Sequence, residues 1–127
     1  MGNESDEVEK RECSFKFHDF TAQIGDSSIT CHTIKMENCL YIWIGDSKEN
    51  AMNDLSFAIV SPYEKDPLTT KIMGSISNEA SNSLAKRLSK RLSMAVYVSF
   101  NVQVNNFSLP AIERRLRDEF NAYPEIF

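Results

Sequence analysis

The chain has 127 residues, 42% of them hydrophobic, with 13 aromatics (8 Phe, 4 Tyr, 1 Trp) and only 4 Gly and 4 Pro. This excludes a disordered or low-complexity protein and fits one domain with its own core. Net charge is -4, and the surplus is local, because residues 1 to 12 hold five acids (Glu4, Asp6, Glu7, Glu9, Glu12) against Lys10 and Arg11. The nearly neutral remainder lacks the basic surface with which a general nucleic-acid binder neutralises phosphates, so the expected partners are proteins.

In chain order, residues 1 to 12 hold almost no apolar side chains to offset the entropy of ordering and read as an acidic flexible tail, with a single domain over residues 13 to 127. Residues 14 to 20 alternate Phe15 and Phe17 with Lys16 and His18, the period of a half-buried strand, and Gly25-Asp26-Ser27 supplies a turn. A β-branched strand over 29 to 36 is separated by Glu37-Asn38 from Cys39-Leu40-Tyr41-Ile42-Trp43-Ile44, which predicts a hairpin. Six consecutive apolar positions in the second strand require cover on both faces of the sheet.

Residues 55 to 60 form another apolar run, ended by Ser61-Pro62, and residues 69 to 75 are a weaker strand beyond Asp66-Pro67. A helix follows over 78 to 93, capped by Ser77 or Asn78, with Ala80, Leu84, Ala85, Leu88 and Leu92 on one face and Lys86, Arg87, Lys90 and Arg91 elsewhere. Residues 95 to 100 are a strand by β-branched and aromatic content. The last helix, 108 to 123, has Pro110 in its first turn and a stripe of Ile112, Leu116, Phe120 and Tyr123, and stops at Pro124.

The expected class is therefore α+β: an antiparallel β-sheet of about six strands, in the order β-β-β-β-β-α-β-α, with both helices on one face. Leu40, Ile42 and Ile44 point opposite to Tyr41 and Trp43, and Val96 and Val98 point opposite to Tyr97, so the second face is apolar too. The natural cover for it is the sheet of a second subunit, two sheets facing each other in a dimer. Either the Tyr41 and Trp43 face or the Leu40, Ile42 and Ile44 face meets the partner; aromatic anchors favour Tyr41 and Trp43. A surface built to meet a related sheet also allows a homodimer in isolation.

No constellation points to catalysis, so the chain reads as a non-enzyme without cofactors. Cys13, His18, Cys31, His32 and Cys39 lack the close pairing of a zinc site, and Cys31 and His32, adjacent on a strand, face opposite sides. His18-Asp19 has no nucleophile elbow to serve, and the four glycines are too dispersed for a phosphate loop. An odd count of three cysteines, without a leader-like start, fits free thiols in the cytoplasm or also the nucleus, and no apolar run is long enough to span a bilayer. Lys86, Arg87, Lys90 and Arg91, with Arg114, Arg115 and Arg117, read either as a solvated face balanced by Glu113, Asp118 and Glu119 or as a docking surface for an acidic protein.

Several segments together resemble the proteasome assembly chaperone 4 family over about residues 14 to 127. They are Phe17-His18-Asp19-Phe20-Thr21-Ala22, Leu40-Tyr41-Ile42-Trp43-Ile44-Gly45, Leu84-Ala85-Lys86-Arg87-Leu88, Val98-Ser99-Phe100-Asn101-Val102-Gln103, Asn106-Phe107 and Phe120-Asn121-Ala122-Tyr123-Pro124-Glu125. The resemblance implies a non-enzymatic chaperone that pairs with proteasome assembly chaperone 3 and holds 20S proteasome α-subunits during early α-ring assembly. The acidic extension, Phe100 in place of a common Tyr, and Leu92-Ser93-Met94 in place of a more polar connection depart from the family pattern. The end Glu125-Ile126-Phe127 is not the hydrophobic-Tyr-any tripeptide that larger proteasome chaperones insert between α-subunits, so the folded surface is expected to bind. The competing reading from the residues is a generic protein-binding adaptor or trafficking module of similar form.

Overall fold

A computed structural model of the chain describes residues 15–48, 51–103 and 108–126. The acidic segment 1 to 12, Cys13 and the Asn106-Phe107 pair lie outside the described residues. Among the described residues, six strands and two helices follow in chain order: β1 (Lys16–Ile24), β2 (Ser27–Lys35), β3 (Cys39–Asp46), β4 (Leu55–Ile59), β5 (Leu68–Met73), α1 (Ala80–Leu92), β6 (Ala95–Asn101) and α2 (Ser108–Ala122).

The strands form one sheet in the order β1-β2-β3-β6-β4-β5. Gly25 takes φ +62° at the first of the two residues between the paired Ile24 and Ser27, the position where a tight hairpin turn calls for glycine. The expectation of a wholly antiparallel sheet is corrected at its centre. There β6, returning through α1, lies between β3 and β4 and runs parallel to β3, with Tyr41 facing Tyr97 and Ile42 facing Val98. A strand reached through a helix can enter in either direction, whereas hairpin neighbours such as β1, β2 and β3 cannot.

Both helices cover the same face. Leu84, Ala85 and Leu88 of α1 and Ile112, Leu116 and Phe120 of α2 form one core with Ile29, Cys31, Leu40, Ile42, Ile44, Ala58, Val96, Val98 and Phe100. α1 rests on β4, β5 and β6, and α2 reaches β1. Glu79 precedes α1 without a side-chain cap, and Asn78 Oδ1 accepts the Ala80 N–H at 3.4 Å. The helix closes on Ser93 in the left-handed conformation, its N–H bonded to Ser89 O at 2.8 Å.

The stripe predicted for α2 is corrected at its last turn, where Glu119 is buried and Tyr123 is exposed. Glu119 faces Arg115 at 3.4 Å and His18 Nε2 of β1 at 3.8 Å, and these polar partners offset the cost of enclosing a carboxylate.

Candidate partner-binding surfaces

The helices settle which face of β3 is occupied: Leu40, Ile42 and Ile44 are fully buried beneath them. The alternate positions define a helix-free face, and strand register aligns their side chains. Phe17 faces Ile34, Ile34 faces Tyr41, Tyr41 faces Tyr97, and Tyr97 faces Phe57, forming one apolar row across five strands that ends on β5 at Thr70. The Phe57 and Tyr97 rings lie 4.7 Å apart at 40°, a geometry that aromatic pairs favour. Ile59 and Leu68 form the neighbouring cross-strand pair, and both are exposed. Partial burial raises the Tyr41 phenol above its ordinary pKa, so the hydroxyl stays neutral to higher pH.

Of the two anchors expected from sequence, Tyr41 sits in this row and Trp43 is largely spent within the chain. Trp43 is 7% exposed, its ring lies close to His32, and its Nε1 donates to Ala51 O at 3.2 Å. A Cβ on Gly45 would meet the indole at 2.3 Å, so glycine there lets the ring lie flat along its own strand. Phe17, Ile34 and Phe57 were not singled out as partner-binding residues from sequence. The signal was the period-two alternation of β1 and β2 and the apolar run at β4, but register alone brings these residues into one row with Tyr41 and Tyr97.

The second candidate surface lies on the helical layer. Lys86, Arg87, Lys90 and Arg91 are exposed on α1. Arg87 pairs with Glu113 of α2, Lys90 with Asp66 at 3.3 Å, and Arg91 Nη2 donates to Asn121 Oδ1 at 3.2 Å. Between the helices runs a groove of about 140 Å³, its floor Leu84, Leu88, Leu116 and Phe120 and its rim Arg87, Arg91, Arg117 and Glu113. Arg115 does not belong to this surface, because its guanidinium lies 4.7 Å from the Phe20 ring centroid and turns toward Glu119.

A third cluster was not legible from sequence. Lys71 Nζ of β5 pairs with buried Asp54 and donates to Asn78 O at 2.8 Å and Ser81 Oγ at 2.9 Å, while Ser81 Oγ lies 2.7 Å from Ser56 Oγ. Asp54 Oδ2 accepts the Phe100 N–H at 3.3 Å, and its carbonyl accepts Ser99 Oγ at 2.6 Å. A lysine beside a serine invites a hydrolase reading, but this ammonium is held by a carboxylate and a carbonyl, and Ser81 is closed to any substrate. The network ties β5, the entry to β4, β6 and the start of α1 together.

Cys31 lies buried under α2, where desolvation pushes its thiol up to about 12, opposed by the nearby Thr33 hydroxyl. Its neighbour His32 projects to the helix-free face and meets Asp19 at 2.9 Å. Among the described residues no three His, Cys, Asp or Glu side chains converge as metal ligands, and no helix is long and apolar enough to cross a membrane.

The family profile described as proteasome assembly chaperone 4 matches residues 28–102, from the start of β2 to the end of β6. The curated proteasome assembly chaperone 4 of Homo sapiens is 31% identical over 112 residues, covering 87% of this chain and 89% of the relative. The chain belongs to the proteasome assembly chaperone 4 family. The Mus musculus member is 29% identical over the same shares of each chain. A protein from the crystal structure of a chaperone complex for yeast 20S proteasome assembly superposes with a TM-score of 0.66 at 11% identity, over 86% of this chain and 97% of that one, which establishes a shared fold. Membership makes this protein a non-catalytic assembly chaperone. That agrees with side-chain clusters that clamp strands or present surface and do not converge on a cleft.

Proposed function

We propose that this chaperone works as one half of a heterodimer with proteasome assembly chaperone 3, and that the pair holds 20S proteasome α-subunits during early α-ring assembly. The observation that carries the reading is the apolar row Phe17, Ile34, Tyr41, Tyr97 and Phe57 on a face that no element among the described residues covers. Isolated apolar side chains are ordinary at a surface, but an aligned row with four aromatics is how a sheet presents itself to another sheet. Phe17 is exposed and the other four are half-buried, so covering the row supplies part of the about 1.5–3 kcal/mol that full burial of each side chain would give, against an association cost of several kcal/mol. The likeness to a member of the yeast complex supports the same reading.

The α-subunit is assigned to the opposite side, where Lys86, Arg87, Lys90 and Arg91 remain exposed when the sheet face is occupied. Charge there sets orientation and on-rate. The free Cys31 and Cys39 thiols fit the reducing cytoplasm or nucleus.

Co-expression with proteasome assembly chaperone 3 tests the pairing. The wild-type chain is expected to co-purify as a one-to-one complex that captures unassembled α-subunits but little mature proteasome. Phe57→Asp with Tyr97→Asp is expected to give a folded chain that no longer co-purifies. A complex that survives both aspartates would reject the helix-free face as the interface.

A further inference from the structure

We propose that Ser93, where α1 ends, is a phosphorylation site for a kinase that reads basic residues ahead of its acceptor, and that the phosphate cancels the charge of Lys90 and Arg91. The site stands on the residues of α1 by themselves; its effect on partner capture rests on the docking role proposed above for this basic face.

The tetrapeptide Lys-Arg-Leu-Ser occurs twice in succession, as Lys86-Arg87-Leu88-Ser89 and Lys90-Arg91-Leu92-Ser93. Each copy sets two cations three and two positions before a hydroxyl, the kind of charge pattern by which a kinase with an acidic cleft selects its substrate. The fold then separates the two serines. Ser89 is fully buried and its Oγ donates to Met94 O at 2.7 Å, so its hydroxyl is spent on packing α1 against the sheet. Ser93 is exposed, and so are Lys90 and Arg91 ahead of it.

Nothing in the packing accounts for a serine at position 93. Its backbone takes φ +55°, and among the described residues it is the one non-glycine residue with positive φ. That left-handed conformation at a helix end favours glycine, because a Cβ is crowded there. The Ser93 hydroxyl makes no hydrogen bond among the described residues, and only its backbone N–H is engaged, by Ser89 O. What the position offers is an exposed hydroxyl behind two bases. Presenting it in extended form opens the last turn of α1, where Leu92 is half-buried, and leaves Leu84, Ala85 and Leu88 in the core.

In the transfer, Ser93 Oγ attacks the γ-phosphorus of ATP and the new O–P bond replaces the bond to the bridging oxygen. ADP leaves with that electron pair, and the hydroxyl proton passes to a carboxylate base of the kinase. The product carries a charge of about −1.5 to −2 at neutral pH. Lys90, one turn before Ser93, is held by the exposed Asp66 at 3.3 Å, and Arg91 meets the Asn121 carboxamide at 3.2 Å. Both contacts are weak against a phosphate dianion, which draws the two cations into charge-assisted hydrogen bonds. The basic end of α1, a helix without an acid of its own, is thereby neutralised.

The test maps phosphate by mass spectrometry on the full-length protein in two samples: one incubated with magnesium ATP and the catalytic subunit of cyclic-AMP-dependent protein kinase, the other isolated from its own cells under phosphatase inhibition. Ser93 is expected to carry phosphate in both and Ser89 in neither. Ser93→Ala should abolish incorporation at this site, and Arg91→Gln should slow it about tenfold. Phosphorylation should also shift the side-chain resonances of Arg91 and Asn121 while leaving those of β1 and β2 in place. Absence of phosphate from Ser93 in either sample, or equal modification of Ser89, would overturn the site. Unmoved Arg91 and Asn121 resonances in the modified chain would overturn the neutralisation. Capture of unassembled α-subunits should fall several-fold on phosphorylation; equal capture by both forms would overturn the switch, whereas capture by neither form would count against the docking reading and not against the site.

Discussion

The two faces of β3 are built from neighbouring residues of similar hydrophobicity, yet they have different fates. Leu40, Ile42 and Ile44 are fully buried beneath α1 and α2, whereas Tyr41, one residue away, keeps a half-open ring beside Tyr97 and Phe57. The covered face is aliphatic and fills a core. The helix-free face is aromatic, and Tyr41 and Tyr97 put a polar end on a largely apolar ring, which tolerates both water and a partner. An apolar strand position therefore records a need for cover without saying which molecule supplies it.

Mutations that separate the two faces should differ in size. The largest effect is expected beneath the helices from Lys71→Met, which leaves the Asp54 carboxylate enclosed without its ammonium and should cost about 3–5 kcal/mol in urea unfolding. Ile42→Ala follows at about 2–5 kcal/mol, because the site is fully buried and closely packed.

Alkali provides a milder probe of the covered face. Folding holds Cys31 as a neutral thiol with a pKa near 12, against about 8.5 for a free cysteine, so the unfolded chain loses its proton first. Stability should be independent of this group below about pH 8 and fall between the two values, by roughly 1–2 kcal/mol at pH 10. Cys31→Ala should flatten that part of the pH profile even though it lowers stability at neutral pH.

The smallest effect on the isolated chain is expected one residue from Ile42. Tyr41→Ala should cost about 1 kcal/mol, since the ring is only partly buried, while weakening the proposed heterodimer about tenfold or more, as measured by titration calorimetry. Equal stability losses for Ile42→Ala and Tyr41→Ala would erase the distinction between the faces.

Much of this contrast was legible in the sequence because a strand's period of two assigns faces before any partner is known. The run from Cys39 to Ile44 and the opposition of Tyr97 to Val96 and Val98 required cover on both sides. Local signals also placed the hairpin turn at Gly25 and both helices to within a few residues. The insertion of β6 parallel to β3 escaped, because nothing in residues 95 to 101 encodes which strand they join after α1. Trp43 read as an interface anchor, and only the bare Gly45 beneath its ring and the Ala51 carbonyl reveal its role within the chain. The pair of Lys71 and Asp54 escaped too, since an ion pair spanning seventeen positions has no local pattern. Glu119 was hidden for the same reason, its partner His18 lying at the far end of the chain.

Hydroxyl-radical footprinting of the isolated chain and of the complex proposed with proteasome assembly chaperone 3 tests the central claim most directly, because it reads side-chain exposure residue by residue. Tyr41, Phe57 and Tyr97 should be oxidised in the isolated chain and protected in the complex, with Leu84 and Phe120 unchanged between the two. Protection confined to the α1 and α2 surface, with Tyr41, Phe57 and Tyr97 as reactive as before, would contradict the account.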